Sequence, residues 1–81
     1  RDLGLYDLAI ENLEIALVMG KHLQGRIYAE RGRTYHLRGD WNCASNDYHR
    51  ALTQLSTASN SRNYLNKVNN WLNELLNPVN F

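Results

Sequence analysis

The sequence predicts an all-α protein of about four helices, stacked as antiparallel hairpins. Three observations lead there. Apolar residues recur at three-and-four spacing along most of the 81 residues, which is the period of a helix face and not of a strand. Glycines and one small polar run punctuate those stripes. Two segments also repeat each other at a spacing of 35: Gly4, Tyr6, Ala9, Leu13, Ala16 and Leu17 return as Gly39, Trp41, Ala44, Tyr48, Ala51 and Leu52. A period between about 20 and 50 residues marks a stacked solenoid rather than a self-contained globule. That implies a binding scaffold without naming what is bound.

The first helix spans residues 3–19, with Leu3, Tyr6, Ala9, Ile10, Leu13, Ala16 and Leu17 on its main stripe. Gly20 is expected to stop it as a left-handed cap. Leu5, Leu8, Ile15 and Val18 lie off that stripe, so this helix is apolar on more than one side and needs two neighbours. The second helix runs over 24–37, with Tyr28, Gly32 and Tyr35 inward, and Gly39 ends it. Asp40 caps the third helix, whose inward residues are Trp41, Ala44, Tyr48, Ala51, Leu52 and Leu55. Residues 56–61, Ser-Thr-Ala-Ser-Asn-Ser, form a loop, because short polar side chains compete with the helix for backbone hydrogen bonds. The fourth helix spans 62–76. Tyr64, Leu65, Val68, Trp71, Leu72, Leu75 and Leu76 make its apolar stripe, and Pro78 prevents it from running on.

Composition fixes the broad class. Eighty-one residues allow one domain, 1–81, and 43% hydrophobic content is ordinary for a folded chain. No apolar run reaches the roughly 18–20 residues of a membrane span, so no membrane role is expected. Arg1 stands where an initiator Met would be, which implies a piece of a longer or processed protein. The single cysteine, Cys43, sits in a helical pattern and reads as a buried, inert thiol in a reducing, cytoplasmic compartment. Net charge is +1, but it is unevenly placed. Residues 1–24 carry two basic and four acidic side chains; residues 25–50 carry five basic and three acidic. The positive excess begins at Arg26.

The stretch from Tyr28 to Ala51 resembles the tetratricopeptide repeat. The residues that carry the resemblance are Tyr28, Gly32, Tyr35, Gly39, Trp41, Ala44, Tyr48 and Ala51, in order and at the family's offsets. The likeness covers one complete repeat, 24–56, preceded by the second helix of a partial repeat at 3–19 and followed by a capping helix at 62–76. The repeat-end proline is absent near Lys21 and Ser56, and Val68 replaces a small residue, so the last hairpin should be wider. The resemblance implies a right-handed α-solenoid, here the C-terminal portion of an array. It also implies a concave face that holds extended peptides or partner helices.

Carried over by position, that face would include Arg26, Ala29, Arg33 and Leu37, with Arg62, Asn66, Asn69 and Asn73 from the capping helix. Arginine and asparagine suit a carboxylate or a peptide backbone, so an acidic or C-terminal carboxylate partner is implied. The same stretch also reads as an ordinary exposed Arg26–Glu30 pair at i,i+4, which leaves two readings open. The function expected is a non-catalytic protein–protein interaction scaffold. The alternatives are an oligomerisation module, a homo-oligomer through the helix at 3–19, or an accessory sensor domain of a larger regulatory protein.

Other chemistries find little support. His22, His36 and His49 lie 14 and 13 apart with no ligand partner at suitable spacing, so no metal is expected. No acid, base or nucleophile set can be assembled, and no glycine-rich phosphate loop is present, so neither an enzyme nor a cofactor is expected. Arg31, Arg33 and Arg38 are interrupted by Glu30, Asp40 and Asp47, which argues against nucleic acid. Arg38-Gly39-Asp40 spells an adhesion tripeptide, but it is already accounted for as a helix stop and a helix start.

Overall fold

A computed structural model of the protein describes residues 2–20, 23–55 and 62–77. Four helices make up the described residues: α1 (Asp2–Met19), α2 (Gln24–Arg38), α3 (Trp41–Leu55) and α4 (Arg62–Leu76). No strand occurs among them. The expected loop at 56–61, the stop at Pro78, the side chain of Leu3, and His22 lie outside the described residues.

The central unit is the α2–α3 hairpin, the most extensive packing among the described helices. Gly39 turns it, with φ 96°, a conformation that costs a glycine almost nothing. The amides of Gly39 and Asp40 both bond back to the Tyr35 carbonyl, at 3.0 and 2.8 Å, and satisfy the end of α2. Asp40 then starts α3 by accepting the Ala44 amide at 2.9 Å through its carbonyl, while its carboxylate is held by Arg38. Contacts across the hairpin run in opposite directions: Gly25 meets Leu55, Gly32 meets Tyr48, and His36 meets Trp41.

The close approach at the centre depends on Gly32. A β-carbon there would lie 2.7 Å from Cδ1 of Tyr48 and 3.3 Å from the Ala44 carbonyl oxygen. Tyr48 fills the space that the missing side chain leaves. Its ring is fully buried, and its hydroxyl shares a hydrogen bond with Nδ1 of His36 at 3.0 Å. Gly25, two helical turns earlier, provides a second seat, against Leu55.

Ala29, Ala44, Tyr48, Ala51, Leu55 and Val68 form the core cluster, and Tyr28, Tyr35, Leu52, Tyr64, Leu65, Trp71, Leu72 and Leu75 pack around it. The Tyr48 ring reaches Trp71 of α4 at 6.1 Å between centroids. α4 packs on α3 and also touches α2; α1 packs on α2. Pairs between α2 and α4, Arg26 with Tyr64 and Arg33 with Trp71, keep the same order in both helices, so these two run side by side in the same direction.

A charge cluster around the buried Asp47 joins three helices. Arg31 of α2 donates from Nε to Asp47 Oδ2 at 2.6 Å and from Nη2 to Oδ1 at 3.0 Å. Arg50 adds a bond to Oδ1 at 2.9 Å, and Glu14 of α1 sits 3.7 Å from Arg31. The Asp47 side chain is 1% exposed, so its charge has left water and depends on these partners.

Four expectations need correcting. Gly20 does not adopt the left-handed conformation; α1 ends instead with its amide bonded to the Ala16 carbonyl at 2.7 Å. Trp41 is 57% exposed, because it stands at the first residue of α3, at the end of the hairpin, where its ring meets His36 edge-on. Cys43 is exposed, not buried, since it points about 100° around the helix from the buried Ala44. Ala29 is fully buried in the core and is not part of an open face.

Candidate partner-binding face

One edge of α2 and one side of α4 meet in a mixed face of cations and aromatic rings. The Arg26 guanidinium lies 5.3 Å from the centroid of Tyr64, and Arg33 lies 5.2 Å from that of Trp71. Lys67 stands over both rings, at 5.1 and 5.3 Å. The rings carry negative charge on their faces, so they attract these cations and hold them without cancelling their charge.

Two carboxylates complete the face. Glu30 accepts the Tyr64 hydroxyl, and Glu74 accepts from Nη1 of Arg33 at 2.9 Å. Burial, and then the bond to Glu30, push the Tyr64 phenol well above its usual range, so it stays a neutral donor. Arg33 and Glu74 are partly open to solvent, so their ion pair is weak, on the order of 0–1 kcal/mol, and can be exchanged for another carboxylate. Glu30 is thereby drawn towards α4, where the sequence suggested a simple pairing with Arg26 along one helix.

The structure separates the residues expected on a common face. Arg26 and Arg33 reach α4, and Leu37 stands exposed on the same helix. Arg62, Asn66, Asn69 and Asn73 are all exposed, but at about 100° per residue they project from a different side of α4 than Tyr64, Lys67, Trp71 and Glu74. Asn66 lines a shallow depression with Asn63, Tyr64, Lys67 and Asn70, all on α4. The side of α4 that faces α2 was hidden in the sequence because Tyr64 and Trp71 read as core and Lys67 as solvent. Their i, i+3, i+7 spacing was the available signal.

No family model, curated protein or solved structure matches this chain. Among the described residues no helix is long and apolar enough to cross a membrane, and no group of three His, Cys, Asp or Glu could hold a metal ion.

Proposed function

We propose that this chain is a tetratricopeptide-like module, a non-catalytic scaffold that binds an extended partner on the α2–α4 face. The partner is an acidic peptide, or one ending in a free carboxylate. The observation that carries the reading is the set of three cations, Arg26, Arg33 and Lys67, held over two half-buried rings. Guanidinium offers paired charged donors to a carboxylate, and the rings offer a flat apolar surface to the rest of the peptide. Parallel alignment of α2 and α4, with α3 packed against both, supports a right-handed stack of hairpins. The glycine seat at Gly32, at the repeat's own position, supports it further.

Calorimetry tests this with an acidic hexapeptide bearing a free C-terminal carboxylate, compared with its C-terminal amide. The free acid binds, the amide binds less tightly, and Arg26→Ala with Arg33→Ala weakens the free acid at least about tenfold. Equal heats from both peptides and an unaffected double variant would remove the assignment of this face.

A second reading, oligomerisation through α1, is favoured by a separate observation. Leu5, Leu8, Ile15, Val18 and Met19 are all more than half exposed on that helix. Such a row along one helix marks an interaction surface.

A further inference from the structure

The exposed side of α1 carries a coiled-coil pattern. Leu5, Leu8, Asn12, Ile15 and Met19 follow one another at spacings of 3, 4, 3 and 4, the alternation of a heptad seam. All five are exposed in the folded chain, with Leu5 at 67%, Leu8 at 55%, Ile15 at 58% and Met19 at 80%. The opposite side of α1, with Ile10 buried and Leu13 and Leu17 partly so, is the one turned towards its own chain. Among the described residues the seam is therefore open, and it is continuous over about four turns.

We infer that α1 pairs with α1 of a second copy as a parallel, two-stranded seam. The inference rests on the oligomerisation reading and adds the partner, the orientation and the register. Asn12 occupies the central layer. A single asparagine at such a position bonds to its counterpart across a parallel pair and fixes register and strand number, at some cost in stability. In a partner of unrelated sequence that asparagine would be a buried amide without a matching group.

The central layer selects the parallel orientation, because in an antiparallel pair Asn12 would face Leu8 or Ile15 and not its counterpart. Glu11 flanks the seam on one side and Ala9 and Ala16 on the other. In a parallel pair each Glu11 faces the small Ala16 of the second copy, whereas one antiparallel register brings the two Glu11 side chains together. Asp7 is used within the chain by Arg38, and Glu14 by Arg31. Val18, 72% exposed, flanks the seam and extends its apolar surface.

Sedimentation equilibrium of the full chain at micromolar concentration tests the pairing, together with disulfide trapping in a Cys43→Ser background. A dimer is expected. Leu8→Lys, which changes an exposed side chain, should weaken it about 100-fold while circular dichroism shows the fold unchanged. Asn12→Leu should give species larger than a dimer, and Leu5→Cys should oxidise readily to a covalent dimer. A monomer at all concentrations would overturn both the seam and the oligomerisation reading. A dimer that survives Leu8→Lys overturns the seam alone and leaves oligomerisation by another surface. Preferential cross-linking of Leu5→Cys to Met19→Cys in a mixture, over Leu5→Cys to itself, overturns the parallel orientation. Asn12→Leu without effect on mass overturns the central role of Asn12.

Discussion

Gly32→Ala should destabilise the protein although it places a better helix former in a helix. The new β-carbon would stand 2.7 and 2.9 Å from Cδ1 and Cε1 of Tyr48 and 3.3 Å from the Ala44 carbonyl oxygen. Nothing nearby yields easily. The Tyr48 ring is fully buried and tied to His36, and the Ala44 oxygen is backbone. Overpacking of this kind costs about 1–3 kcal/mol, and the helical preference of alanine over glycine returns about 0.5–1. The net loss is up to about 2.5 kcal/mol and centred near 1, which at that centre is a fall in melting temperature of roughly 4–8 °C for a chain this short. Thermal unfolding followed by far-ultraviolet circular dichroism measures it. Gly4→Ala on α1 is the control: nothing lies within 4 Å of where its β-carbon would stand, and it should gain about 0.5–1 kcal/mol. A Gly32→Ala protein that gains stability as Gly4→Ala does would refute the close approach of α2 and α3.

Other consequences follow from the same contacts. Asp47→Ala leaves Arg31 without its bidentate partner and should cost about 2–4 kcal/mol in urea unfolding, whereas a loss under about 1 would show that the cluster is not desolvated. Burial, and then the nearby Arg33, lower the His36 pKa, so the unfolded chain binds its proton first and stability should fall as pH drops below about 6.5. His36→Gln should flatten that acid limb. Burial raises Tyr48 to about 12, so stability should fall again as pH climbs from about 10 towards that value, followed by phenolate absorbance. Exposed Cys43 should react with a thiol reagent in the native protein as fast as in the unfolded one, and protection would contradict its placement.

Much of the backbone was legible because helix signals are local. Gly39 closed α2 as expected, and the spacing of Gly32, Ala44 and Tyr48 announced a close hairpin contact. Burial at helix ends was harder to read. Trp41 matches Tyr6 in the repeat, yet its place at the first residue of α3 leaves it 57% exposed. The Arg31–Asp47 pair was hidden because each residue, taken alone, reads as a surface charge. Asp47 nonetheless lies between Ala44 and Ala51 on the buried stripe, where a carboxylate needs a cation. The α2–α4 face was only half visible: periodicity says which side of a helix is apolar, but not which neighbour meets its flanks. That is why Arg26 and Arg33 reached α4 while Asn66, Asn69 and Asn73 turned elsewhere.

The most direct test of the binding face is a titration of the isotopically labelled protein with the acidic, free-carboxylate peptide, followed by amide and side-chain chemical shifts. Shifts should concentrate on Arg26, Glu30, Arg33, Tyr64, Lys67 and Trp71, with the Arg33–Glu74 pair opening as the peptide carboxylate takes its place. Shifts confined to other helices, or none at saturating peptide, would contradict it.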